Sequence, residues 1–134
     1  MITVSERVNL AIHALGYMAA NRERLPLSVT TLAHSLKVSR SHLAKVMQTL
    51  ARQGFVNSCR GANGGFSFAR NPDETSLLEI YEVIEGPLGE ENGCLLGSPV
   101  CEPGSCMLTG LLKEIEKSFL RELGGKKIGE FRAR

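Results

Sequence analysis

A mainly α-helical fold carrying one small β-hairpin is predicted by three features of this chain. Two short amphipathic segments are separated by only Lys37-Val38, too few residues for anything but a tight turn, and so read as a helix-turn-helix. Two strand-like stretches follow, on either side of Arg60-Gly61-Ala62-Asn63-Gly64-Gly65, a run able to supply the positive φ angles of a hairpin turn. A longer amphipathic stretch, residues 107–123, comes near the end. A helix-turn-helix followed by a hairpin is a winged helix, here residues 1–72. Residues 73–134 then hold a loop (86–106) and the long last helix, within one compact domain.

Residues 5–20 form the first expected helix: Val8, Ala11, Ile12, Leu15, Met18 and Ala19 recur at helical spacing, and Ser5 can cap the first turn. Asn9, His13 and Tyr17 lie one turn apart on a different face. Leu25-Pro26 ends the pattern, because proline lacks an amide donor and disfavours helix in the residue before it. Ser28 or Thr30 caps the second helix, which ends near Leu36 with Leu32, Ala33 and Leu36 inward. Ser39 caps the third, which runs to about Gln53 with Leu43, Val46, Met47 and Leu50 inward, and Gly54 stops it. The strands are expected at 55–59 and 66–69, with Cys59 packed as a small apolar side chain. Thr75 or Ser76 starts the fourth helix, which ends at Gly86-Pro87. The last helix carries Leu108, Leu111, Leu112, Ile115, Phe119 and Leu123 as its stripe, with Gly124-Gly125 as its stop.

Charge is unevenly placed. Between Glu23 and Asp73 there is no carboxylate, yet the interval holds seven Lys and Arg: Arg24, Lys37, Arg40, Lys45, Arg52, Arg60 and Arg70. From Asp73 onward the balance reverses, with twelve carboxylates against seven basic residues. A block cleared of acids lets a polyanion approach without repulsion, which points to nucleic acid. No run approaches the ~20 apolar residues of a membrane span, and no secretion signal opens the chain, so a cytoplasmic protein with no membrane partner is expected. A reducing compartment makes structural disulfides improbable for the four cysteines and favours metal or redox chemistry. No nucleophile–base pair, phosphate loop or carboxylate dyad marks an enzyme.

The second helix of a helix-turn-helix usually reads the major groove. Here its opening is Ser39-Arg40-Ser41-His42-Leu43-Ala44-Lys45. Arg40, Ser41 and His42 are expected outward, where Arg can bond guanine in two places and Ser or His can reach base edges. Lys45 and Arg52 suit phosphates, which fix position rather than sequence. Arg60 at the wing tip suits the minor groove, Gly61, Gly64 and Gly65 around it allow close backbone approach, and Asn63 joins Arg60, Gly61 and Gly64 as a candidate DNA contact.

Cys94, Cys101 and Cys106 are spaced C-x6-C-x4-C in a loop with Gly93, Gly97, Pro99, Pro103 and Gly104. A long loop of this kind usually has a function. Three thiolates can converge on one metal centre, and the absence of C-x2-C knuckles argues against structural zinc as first choice. Iron–sulfur clusters also take mainly cysteine. The fourth ligand must come from elsewhere, and Asn9 and His13 on the first helix could reach it, from this subunit or the other. The bland reading is a set of stray thiols or a reversible disulfide.

Taken together, the helix opening Val38–Val46, the wing Arg60–Phe66, the three-cysteine loop running into Cys106-Met107-Leu108, and Lys127-Ile128-Gly129-Glu130-Phe131 resemble the IscR/NsrR-type family of winged-helix iron–sulfur transcription regulators. The resemblance covers almost the whole length. It implies a homodimer paired through the last long helix, a pseudo-palindromic DNA operator, and a cluster on Cys94, Cys101 and Cys106 that controls DNA affinity. Two departures stand out: the cysteine spacing is uneven, and Thr109 stands where some members have a histidine. A related arrangement of two ligands one turn apart makes His13 the preferred fourth ligand over Asn9, with [2Fe-2S] favoured over [4Fe-4S]. The alternative is the same DNA-binding fold with the cysteines serving as a thiol switch or zinc site.

Overall fold

The computed structural model describes residues 4–87, 100 and 105–132. Its helices are α1 (Glu6–Ala20), α2 (Val29–Leu36), α3 (Arg40–Arg52), α4 (Leu77–Glu85) and α5 (Thr109–Gly125). Two strands, β1 (Val56–Cys59) and β2 (Gly65–Phe68), lie between α3 and α4, and short 3-10 turns occupy Arg22–Arg24 and Ile128–Glu130.

Serine caps set the helix starts. Ser5 Oγ accepts from the Val8 amide, Ser28 Oγ from Thr31 and Ser39 Oγ from His42. Ser76 and Glu79 cap α4 reciprocally, each side chain bonded to the other's backbone amide. A cap of this kind contributes about 1 kcal/mol. Between α2 and α3 the chain turns through Lys37 in the left-handed conformation (φ 58°), and the Val38 amide reaches back 3.0 Å to the Ala33 carbonyl.

One apolar core joins these elements. Leu15 and Met18 of α1, Leu32 of α2, and Leu43, Met47 and Leu50 of α3 are fully buried, together with Ile80 of α4 and Ile128 of the last turn. At about 25 cal/mol per Å2 of apolar surface, each such side chain contributes roughly 1.5–3 kcal/mol. The wing is antiparallel, with Val56 opposite Phe68 and Cys59 opposite Gly65. It is fastened to the head by Leu27, which exchanges two backbone hydrogen bonds with Phe66 at 3.1 and 2.8 Å. Gly65 permits this: a Cβ there would stand 2.4 Å from the Leu27 carbonyl carbon, and its φ of +149° suits glycine.

Three expectations need correction. Cys59 is exposed rather than packed; only Val56, the first residue of β1, is buried, and the three residues after it are exposed. The last helix begins at Thr109 instead of Met107, and it takes in both Gly124 and Gly125 before ending, two residues beyond Leu123. Glycine weakens a helix by roughly 1 kcal/mol without forbidding it, and this helix ends where Lys126 turns extended so that its carbonyl accepts from the Leu77 amide.

Candidate nucleic-acid interface and sensor region

The expected reading residues share the outer side of the head. Ser39, Arg40, Ser41, His42, Lys45 and Arg52 are all exposed, while Leu43 turns inward. The 3.6-residue period explains the split, since Leu43, Val46, Met47 and Leu50 claim the opposite face. Arg60, Gly61 and Asn63 are exposed at the wing tip, and Gly64 is half-buried. The Gly64 amide donates to the Gly61 carbonyl at 3.0 Å and closes the turn, with Gly61 at φ +109°.

Several of these side chains are already held. Arg40 Nε donates to Thr30 Oγ1 of α2 at 2.8 Å. Arg52 Nη2 donates to Thr49 Oγ1 at 3.3 Å, and that hydroxyl donates in turn to the Lys45 carbonyl. His42 Nδ1 lies 3.8 Å from a carboxylate oxygen of Glu6, at the start of α1. The interval free of acid in the sequence is therefore not free of acid in space. Glu6 borders a groove of about 250 Å3 shared with Arg7, Leu10, His42, Lys45 and Val46.

Glu6 also lines a second groove, of about 480 Å3, together with Asn9, Leu10, His13, Leu36 and Val38. His13 is exposed. Its Nδ1 stands 2.7 Å from the Asn9 carbonyl oxygen, and its ring meets Phe131 edge-on at 6.1 Å between centroids. A carbonyl can only accept, so Nδ1 carries a proton, and in the neutral ring Nε2 is then the nitrogen with the lone pair. Phe131 sits in a notch left by Gly16, where a Cβ would approach the ring to 2.5 Å.

Cys106 is exposed just before α5. Cys94 and Cys101 lie outside the described residues, as does most of the cysteine loop. The His13 groove is lined from α1, α2 and the turn that follows, so the structure does not bring Cys106 to it. Among the described residues no group of three His, Cys, Asp or Glu side chains is arranged to hold a metal ion. The contacts of Thr30 with Arg40, of Glu6 with His42 and of Phe131 with His13 escaped the sequence reading. The two partners of each contact are ten or more residues apart, and only the packing angles bring them together.

α5 packs on α4 through Tyr81 and Phe119, whose rings meet edge-on at 5.1 Å. Leu111 and Ile115 on the same helix remain 57% and 45% exposed. Elsewhere Arg22 grips Asp73 with two hydrogen bonds, at 2.6 and 3.1 Å. That guanidinium holds the Asp73 carboxyl below its usual range.

A helix-turn-helix braced by a two-stranded wing defines the winged-helix class. Within it the chain belongs to the Rrf2 family: the family profile, described as "Iron-dependent Transcriptional regulator", matches residues 4–133. It is 40% identical over 97 residues to an HTH-type transcriptional regulator-like protein of Aquifex aeolicus, covering 72% of this chain and 66% of that one. Against the HTH-type transcriptional regulator NsrR of Bacillus licheniformis it is 29% identical over 98 residues, 68% of each chain. Among solved structures, CymR, the global cysteine regulator of B. subtilis, superposes with a TM-score of 0.79 over 99% of this chain and all of that one, at 22% identity. IscR of T. potens gives 0.76 over 96% and 85%, also at 22% identity. These likenesses establish the five-helix, one-hairpin fold.

Proposed function

We propose that this regulator is a homodimer that binds a pseudo-palindromic DNA site, with an affinity controlled by an iron–sulfur cluster. Two protomers pair through the exposed stripe of α5. Each places α3 in a major groove with Arg40, Ser41 and His42 towards base edges, Lys45 and Arg52 towards phosphates, and Arg60 of the wing towards the minor groove. Two-fold symmetry of the protein calls for matching half-sites in the duplex.

Cys94, Cys101 and Cys106 would hold the cluster, with His13 of the other subunit as fourth ligand, since His13 of the same chain lines a groove that Cys106 does not reach. Three thiolates and an imidazole form a donor set that iron–sulfur clusters accept, and the bond from Nδ1 to the Asn9 carbonyl leaves His13 in the tautomer a metal needs. When bound, the cluster supplies a group sensitive to iron, oxidants or nitric oxide.

The observation that carries this reading is the position of α1. Glu6, Asn9 and His13 share one groove, and the same Glu6 meets His42 of α3. A shift of α1 at His13 therefore moves a carboxylate beside the reading helix and changes its attraction for phosphate, biasing the population towards or away from a DNA-competent state. Isolation without oxygen tests it. Protein with iron, sulfide and visible absorption, lost on replacing Cys94, Cys101 or Cys106 with Ser, supports the reading. Iron-free protein with three dispensable cysteines refutes it.

The second reading, a thiol switch or zinc site, draws on the exposure of both Cys59 and Cys106. Zinc content and thiol counts before and after peroxide separate it from the first.

A further inference from the structure

We infer that Thr30 is the residue that positions Arg40 for base reading, and that Arg40 addresses guanine end-on through its two terminal nitrogens. The inference rests on the placement of α3 in the major groove proposed above. It starts from the 2.8 Å bond in which Arg40 Nε donates to Thr30 Oγ1.

A guanidinium has five N–H groups in a rigid plane. Two of its edges can grip a base or a phosphate bidentately: the side edge, which uses Nε, and the end edge, which uses both Nη atoms. With Nε committed to Thr30, the side edge is taken and the end edge remains. Guanine presents O6 and N7 as adjacent acceptors in the major groove, a match for that end edge.

The tie also selects a conformation. Arg40 is the first residue of α3 and is exposed, so with no partner its long side chain would sample many rotamers. Thr30 belongs to the neighbouring helix α2, and α2 is fixed against α3 by the buried Leu32 and Leu43. A β-branched threonine has few χ1 choices of its own, which makes it a firm anchor. Holding Arg40 before DNA arrives removes part of the ordering cost from the binding step.

The test uses the full-length dimer and two probes: a duplex that the wild-type protein selects from a randomised pool, and a scrambled duplex of the same composition. Thr30→Val keeps the shape and removes the acceptor. It is expected to weaken the selected duplex about three- to tenfold, leave the scrambled duplex and its salt dependence unchanged, and relax preference at one guanine per half-site. Thr30→Ser, which retains a hydroxyl, should restore that preference. Arg40→Ala should relax the same position, and adding Thr30→Val to it should cost nothing more. If Arg40→Ala relaxes the guanine while Thr30→Val does not, the positioning role is overturned and the reading of α3 stands. An Arg40→Ala protein with unaltered preference at every base overturns both. Equal losses on the two duplexes, with a lowered melting temperature, make Thr30 merely structural and overturn the inference.

Discussion

The winged head and the C-terminal helix α5 are built from comparable amphipathic patterns yet meet different fates. In α3, four of thirteen residues are buried, and the 13-residue helix is locked against α1, α2 and the wing. In α5, seventeen residues long, none of the described residues is buried. Two residues of its stripe, Phe119 and Leu123, pack against the core. Two others, Leu111 and Ile115, are exposed. The head completes its hydrophobic layer within one chain. Among the described residues the helix does not, in keeping with the pairing of two copies proposed above.

The largest effect is expected from breaking that contrast on the α5 side. Leu111→Asp with Ile115→Asp places two carboxylates in the proposed interface. The protein should sediment as a monomer with its head still folded by circular dichroism. Loss of two-site engagement should cut DNA affinity by about 100-fold or more. A dimer that survives both changes would remove α5 from the interface.

On the head side, Gly65→Ala forces a Cβ into the Leu27 backbone at a φ of +149°. It should cost on the order of 2–4 kcal/mol in urea unfolding, from strain and a displaced wing. Gly16→Val should cost roughly 1–3 kcal/mol by displacing Phe131 from its notch, and it should alter the environment of His13, read by NMR.

Smaller effects mark the joints between regions. Glu6→Gln removes the carboxylate beside His42, so DNA binding should strengthen by a few-fold at low salt, less at high salt. Asp73→Asn is subtler. Arg22 lowers the Asp73 pKa from its ordinary 3.8, so the pair stabilises fully above that value and its contribution drains as pH falls through the lowered one. The wild-type melting temperature should therefore drop more steeply in acid than that of Asp73→Asn. The difference should be small, because both side chains are about half exposed.

How legible all this was in the sequence depended on range. Serine caps and helical spacing act within one turn, and Ser5, Ser28, Ser39 and Ser76 start their helices where local chemistry requires. The tight turn at Lys37-Val38 followed from there being no room for anything longer, whereas the left-handed φ of Lys37 came from the structure alone. Pairings across the fold were hidden. Leu27 joins Phe66 and Ser76 joins Lys127 through backbone bonds that no side-chain pattern announces, and the second of these sets the end of α5 just past Gly124-Gly125. At the DNA face, exposure of Arg40 and His42 was readable from periodicity, but their ties to Thr30 and Glu6 were not, because those depend on interhelical angles. Cys59 was misread because β1 is buried only at its first residue, Val56, and the rest of the strand is exposed whatever its residue type.

The most direct test of the central claim compares one anaerobic sample with itself. DNA affinity for the selected duplex is measured with the iron–sulfur cluster intact and again after its removal by a chelator under the same salt and pH. A coloured, iron- and sulfide-containing dimer whose affinity changes by about tenfold or more on losing the cluster is the predicted result. Identical affinities in the two states, or a protein that acquires no iron when made without oxygen, would contradict it.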